Sequence, residues 1–189
     1  AHEDTARASA AAFGARLAFH NIEDMVAHPE VDLVVVCVRV PWHHDPVMAG
    51  LRAGKPVFCE WPLGANRAEA EAMAALAREK SLRTVVGLQG RSDAAVRYAH
   101  DLVAEGAIGE VISANISASF VATPNAHWQQ TDIAKEGSGA LVDMGVHAVD
   151  AITRLIGPVR RVGAIVGSRL PEYAGDVSAT LLLEFASGV

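Results

Sequence analysis

Two hydrophobic rhythms divide this chain. Residues 31–38 (VDLVVVCV) are almost continuously apolar and β-branched, the pattern of a parallel strand covered on both faces. Residues 56–59 and 84–88 repeat it in shorter form. Helical segments lie between these runs. Residues 3–13 are Ala-rich and stopped by Gly14; residues 41–53 are ended by Gly54; Asn66 with Glu69 opens a helix running to about Lys80; residues 92–105 are closed by Gly106. Residues 16–19 read as a short strand, and Asn21, with Asp24 three positions on, as the cap of a further helix. Strands alternating with helices at this spacing predict βαβ units and a doubly wound parallel sheet.

After Gly109 the period becomes two. Ile112, Ala114, Ile116, Ala118 and Phe120 alternate with Ser113, Asn115, Ser117 and Ser119, predicting a strand with one face on a core. A polar, Trp-containing loop follows (residues 123–136), then Gly137-Ser138-Gly139 and a helix from Ala140 to about Ile156, ended by Gly157-Pro158. Residues 162–168 and 177–185 read as strands and Ser187-Gly188 as a hairpin turn. The predicted domains are therefore 1–109 and 110–189. A nucleotide-binding sheet normally begins with a strand entering a Gly-rich turn, but no G-x-G-x-x-G occurs, and the final turn has no return strand. The chain is accordingly expected to be clipped at both ends.

Composition narrows the function classes. Of 189 residues, 51% are apolar and 20% charged, with a formal charge of -6. Lys and Arg do not cluster, which disfavours nucleic acid as a partner. No apolar run approaches the roughly 20 residues that span a bilayer, and no signal-peptide pattern is present; a soluble, cytoplasmic protein is expected. Cys37 and Cys59 sit in strand-like runs, where free buried thiols in a reducing cytosol are expected rather than a disulfide or a metal site.

Candidate chemistry gathers in two places. Ligands of doubly wound sheets lie outside the carboxyl ends of the strands. Three such ends are readable: Val38-Arg39-Val40 followed by Trp42-His43-His44, then Glu60-Trp61-Pro62, then Gln89-Gly90-Arg91. Solvated imidazoles at a helix start, and a Trp packed in a turn, would give the same letters. The second place is the helix from Ala140. Leu141, Met144, Ala148, Ile152 and Leu155 form its apolar face, and Asp143, His147, Asp150 and Arg154 a polar stripe. At i and i+4, Asp143 and His147 are neighbours roughly 5–6 Å apart at Cβ. A carboxylate beside an imidazole fixes the ring and raises its basicity, which suits a general base; a solvated face with a helix salt bridge has the same spacing. Gly145 interrupts this helix at about 1 kcal/mol relative to Ala, which points to room for something to approach the backbone closely and so to a site. Together these places predict a nucleotide cleft, with Glu60-Trp61-Pro62 on one wall and the Asp143/His147 helix on the other.

These residues resemble the glucose–fructose oxidoreductase/inositol dehydrogenase (Gfo/Idh/MocA) family. VDLVVVCVRVPWHHDPVMAGLRAGKPVFCEWPLG is similar to its strand, His-containing segment, Ala-Gly-Lys helix end and Glu-Lys-Pro turn, and GSGALVDMGVHAVDAITRLIG resembles its Asp-x-x-x-His-x-x-Asp signature. The resemblance covers essentially the whole chain. It implies an α/β fold, a Rossmann domain truncated at its N-terminus followed by an α/β domain with a mostly antiparallel sheet truncated at its C-terminus. It further implies NAD or NADP as cofactor, a sugar- or polyol-like substrate, and homo-oligomers formed through the C-terminal sheet. By position, His147 is the acid/base and Asp143 its orienter, while Val38, Arg39, Val40, His43, Glu60, Trp61, Pro62 and Gln89 line the cofactor; no metal is implied. Two departures stand out: the usual Thr-Pro-Asn reads Val38-Arg39-Val40, and the usual lysine is Trp61, whose indole offers only an N–H donor. Glu60-Trp61, with Leu88-Gln89-Gly90-Arg91 and Ala107-Ile108-Gly109-Glu110, looks most like the branch of the galactose-regulon repressor, whose members bind a transcription activator. That branch lacks the helix aspartate, which this chain keeps. A non-catalytic NAD(P)-binding regulator with a protein partner is thus the alternative to an oxidoreductase.

Overall fold

Three β-branched runs make the parallel sheet of the first unit. A computed structural model describes residues 2–119, 139–168 and 175–189, and the chain divides into two compact units, Ala1–Gly87 and Leu88–Val189. In the first, β1 (Val34–Val36), β2 (Val57–Glu60) and β3 (Thr84–Gly87) pair in parallel in the order β1-β2-β3. Helices α3 (His44–Arg52) and α4 (Arg67–Glu79) pack on one another, and α3 on β1 and β2. The core joins Val34, Val36, Val57 and Cys59 to Val47, Leu51 and Met73. The expected burial on both faces is not found: Val35 is 56% and Val85 52% exposed. Among the described residues the packed helices cover one face, so the continuous apolar run is in practice used at every second position. Residues 16–19 form no strand; Arg16 is ion-paired with Glu30, and the Phe19 ring tilts against His28 at 5.4 Å.

Helix ends follow their signals closely. α1 (Glu3–Phe13) stops at Gly14 with φ 68, a left-handed conformation that costs glycine little. Asn66 opens α4 by accepting the Glu69 N–H at 3.0 Å, while the Glu69 carboxylate accepts the Ala65 N–H at 2.9 Å, closely related to the reciprocal capping box. In α2 (Ile22–Ala27) the Asn21 side chain accepts from the Glu23 N–H rather than working with Asp24. A Cβ on Gly50 would lie 3.1 Å from methyls of both Val34 and Val57, so α3 approaches the sheet there. Gly50→Ala gains about 1 kcal/mol of helix propensity but overpacks the contact at about 1–3 kcal/mol. The variant is expected to be about 1 kcal/mol less stable, read as a lower urea midpoint at unchanged slope.

The second unit is built differently. α5 (Ala94–Ala104), capped by Asp93 on the Ala95 and Val96 N–H groups, packs on α6 (Val146–Ile156). That packing places α5 in the second compact unit, which begins at Leu88. β4 (Val159–Gly167) and β5 (Ser178–Phe185) pair antiparallel, with an irregularity between Val159 and Arg161. Residues 112–119 carry no strand, and Ile112 is 84% exposed. Period-two patterning needs a neighbouring strand to satisfy its backbone groups, and among the described residues β4 and β5 pair only with each other. Phe120, the loop at 123–136, and Gly137-Ser138 lie outside the described residues.

The helix predicted from Ala140 begins with a π-helical turn, Leu141–Gly145, in which the Val146 N–H bonds the Leu141 carbonyl five residues back. Such wide turns are frequent at functional sites. Met144, assigned to the apolar face, lies in this turn and is 38% exposed. Of the two thiols expected in the core, Cys59 is buried and Cys37 exposed. No described helix is long and apolar enough to cross a membrane.

Candidate functional site

At the carboxyl end of β1 the chain leaves the sheet through Val38 and Arg39 into a short 3-10 turn, Val40–Trp42. The Arg39 guanidinium lies 5.1 Å over the indole of Trp42, which is 54% exposed. This cation–π stack forms a planar, positively charged platform. His43 follows and turns inward. It is 1% exposed, with Nδ1 2.8 Å from the Pro62 carbonyl and Nε2 2.7 Å from the Val38 carbonyl. His43, expected beside the cofactor, has both ring nitrogens engaged by backbone carbonyls. His44 instead reaches Asp45, at 2.9 Å.

β2 ends in Glu60, and Trp61 and Pro62 follow through a cis peptide bond, Trp61 half-buried and Pro62 buried. The Glu60 carboxyl lies against Gly87 at the end of β3, where a Cβ would come 2.9 Å from its carboxyl carbon. Gly87 is thus a point of close approach to Glu60, and its signal in the sequence is a glycine closing a β-branched strand. Beside Glu60, the Cys59 thiol is pushed up to about 12, by burial first and then by Cys37 and Glu60, so it stays protonated.

The second unit opens with a 3-10 turn, Gln89–Ser92, whose Arg91 forks onto Asp150 of α6. Nε lies 2.9 Å from each carboxylate oxygen, and the terminal nitrogen 2.5 Å from one. The Asp150 side chain is only 12% exposed. Its hydrogen bond raises the Arg91 guanidinium further above its ordinary range. The salt bridge on the polar stripe thus joins α6 to residue 91, not one helix position to another. A partner so far away in sequence leaves no local signal.

Asp143, His147 and Asp150 are all half-buried, while Arg154 is exposed. No hydrogen bond joins Asp143 to His147 among the described residues. The Asp143 carboxyl is pushed up to about 6, by burial first and then by the negative charge of Asp176. Asp176 caps the start of this helix: its carboxylate accepts the Leu141 N–H at 2.8 Å and its carbonyl the Ala140 N–H at 2.9 Å. A Cβ on Gly139 would meet the Asp176 carboxyl carbon at 2.8 Å, which explains the glycine leading into the helix. Burial thus gives the site a carboxyl that exchanges its proton near neutrality, one turn from an imidazole. Among the described residues no group of three or more His, Cys, Asp or Glu could hold a metal ion.

Residues 1–88 match the Gfo/Idh/MocA model described as an oxidoreductase family with an NAD-binding Rossmann fold, and residues 96–189 match the family's C-terminal domain. Dehydrogenase aclE of Aspergillus oryzae is 31% identical over 82% of this chain and 43% of its own length. Trans-1,2-dihydrobenzene-1,2-diol dehydrogenase of Oryctolagus cuniculus is 31% identical over 91% of this chain and 51% of its own. Among solved structures, levoglucosan dehydrogenase in complex with NADH and levoglucosan superposes with a TM-score of 0.86 at 26% identity, covering 100% of this chain and 54% of that one. The chain spans about half the length of these relatives.

Proposed function

The chain belongs to the Gfo/Idh/MocA oxidoreductase family, and on that footing we propose that it is an NAD(P)-dependent oxidoreductase acting on a sugar- or polyol-like substrate, with His147 as acid/base and Asp143 as its companion carboxyl. The observation that carries this reading is the half-buried run of Asp143, His147 and Asp150, with Asp150 locked by Arg91 and Asp143 titrating near 6. A face meant only for solvent would not bury three ionisable groups. Relatives that share these matches are named dehydrogenases, and one neighbour is a complex with NADH and a sugar derivative.

The residues present fit part of a dinucleotide. The Arg39–Trp42 platform offers a planar cationic surface, and Val38, Val40, Glu60, Trp61, Pro62 and Gln89 stand at or beside strand ends, where such ligands bind. The glycine-rich pyrophosphate turn is not among these residues. When bound, the dinucleotide supplies the hydride chemistry. His147 takes the proton of the substrate hydroxyl in the oxidising direction and returns it to the carbonyl oxygen in the reducing one. Trp61, in the position of the family lysine, lends bulk and one N–H donor and carries no proton to that oxygen. Homo-oligomerisation through the C-terminal sheet and a cytoplasmic location belong to the same proposal.

Titrating the protein with NADH and NADPH, and following energy transfer from tryptophan to the nicotinamide, is expected to show saturable binding of at least one. With a panel of sugars and polyols, the nicotinamide absorbance band is expected to change. Absence of binding to both would sink the proposal. Binding without turnover would favour the regulator with a protein partner, the reading that Trp61 supports.

A further inference from the structure

Asp176 meets the turn that carries Asp143 at three successive residues. It stands at the head of β5, where the next N–H, that of Val177, already bonds the Gly167 carbonyl at 3.0 Å. From that anchored place its carbonyl accepts the Ala140 N–H at 2.9 Å and its Oδ2 the Leu141 N–H at 2.8 Å, donors that have no partner inside a helix. Its carboxyl carbon also lies 2.8 Å from where a Gly139 Cβ would stand, and the three atoms nearest that point all belong to Asp176. Asp143 hangs from the same residue, its N–H bonding the Gly139 carbonyl at 2.8 Å. The strand end therefore fixes Gly139 to Leu141, and through Gly139 the backbone of Asp143. A serine or asparagine would cap these donors without a charge. The carboxylate instead sets its charge against the half-buried Asp143, where like charges repel. A capping role alone does not account for that choice.

We propose that Asp176 is a positioning residue of the Asp143/His147 site: its carboxylate holds the wide turn that carries Asp143 and sets a second negative charge beside that carboxyl. The hold decides where the Asp143 carboxyl stands. The charge makes that carboxyl keep its proton to higher pH than burial alone would. Asp176 acts on turnover through Asp143 and needs no contact with a ligand of its own. Other ionisable groups on the elements packed here are His147 one turn on, the Arg91–Asp150 pair, Arg97, His100 and Asp101 on α5, and Glu184 on β5, which pairs with Arg160 and Arg161 of β4. Among the described residues only Asp176 adds its charge to the burial of Asp143.

The test uses the whole chain in three variants. Asp176→Asn keeps an acceptor for the Leu141 N–H and removes the charge; Asp176→Ala removes both. Gly139→Ala leaves residue 176 unaltered and displaces it, because Gly139 has no left-handed φ and an alanine there is opposed by Asp176 atoms. Carbon-13 carboxyl shifts followed across pH are expected to place the Asp143 midpoint at about 6 in the wild type and at lower pH in Asp176→Asn. An unmoved midpoint would overturn the role of the charge. Exchange of the Leu141 amide is expected to speed up about tenfold in both alanine variants and to stay within about twofold in Asp176→Asn. Unchanged exchange in the alanine variants would overturn the hold on the turn. Should Asp176→Ala not fold, Gly139→Ala gives the same readout, and the titration needs only the asparagine variant. The kinetic arm rests on the function proposed above: kcat is expected to fall about tenfold in the alanine variants at unchanged KM, and to return to within about threefold of the wild type in Asp176→Asn at pH 8. A loss confined to KM overturns the positioning role. If the wild type turns over no sugar or polyol, the oxidoreductase reading fails, while the titration and the amide exchange still decide Asp176.

Discussion

Alanine at position 147 is expected to lower kcat by about 10²–10⁴-fold, the usual contribution of a positioned acid/base, while leaving NADH affinity unchanged. His147 follows the wide turn at Leu141–Gly145 and lies three residues before Asp150, whose carboxylate is clamped by Arg91. That clamp is a forked ion pair between an exposed guanidinium and a largely buried carboxylate, and the fork itself favours a fixed geometry. It holds the helix turn that carries the imidazole. A loss confined to kcat marks an interaction made in the transition state, whereas a loss confined to KM marks uniform binding. Steady-state kinetics over a range of substrate concentrations separates the two. If His147→Ala turns over like the wild type, the imidazole is not the base and the polar stripe has another purpose.

Replacing Asp143 by asparagine is expected to stabilise the protein at pH 8 and leave its stability unchanged near pH 4. Burial, and then Asp176, push the Asp143 carboxyl from 3.8 to about 6. Between those values the folded state binds more protons at this group than the unfolded state, so stability falls as pH rises through the window. Below the unfolded value both states hold the proton and nothing is lost; above about 6 the whole cost is present. The shift corresponds to a ceiling of about 3 kcal/mol. Partial solvent screening brings the expected gain to about 1–2 kcal/mol, roughly 2–8 °C in Tm for a chain of this size. Thermal melts of the two proteins at both pH values measure the difference. Should the Asn variant melt with the wild type at pH 8, the carboxyl is not paying for its burial. The same change should reduce turnover, since a group kept at a cost in stability is expected to be kept for its chemistry.

Local instructions were the legible ones. The Asn66/Glu69 cap, the stop at Gly14 and the apolar positions of β1 and β2 each depend on residues a few positions apart, and they stand in the structure. What the letters left out depends on partners. Val35 belongs to an apolar run, yet its exposure follows from which face the helices cover. Residues 112–119 have the alternation of a strand and no neighbour among the described residues to complete it. His43 reads as a candidate ligand contact because one of its carbonyl partners, Pro62, lies nineteen residues away and leaves no mark in its own segment. Arg91 and Asp150 are in the same position. The site residues could be gathered by resemblance, but the raised pKa of Asp143 follows from its burial first and from Asp176 second, and neither is written in its own segment.

The wide turn before α6 also sets the phase of the helix. Each α-helical residue advances the chain by about 100° around the axis, and a turn closed five residues back, at Leu141–Gly145, accommodates one residue more than the regular winding would. An unbroken helix would set Asp143 and His147 about 40° apart around the axis, and the wider turn makes the same four residues advance by less. The offset between carboxyl and imidazole is thus encoded in the length of one helical turn.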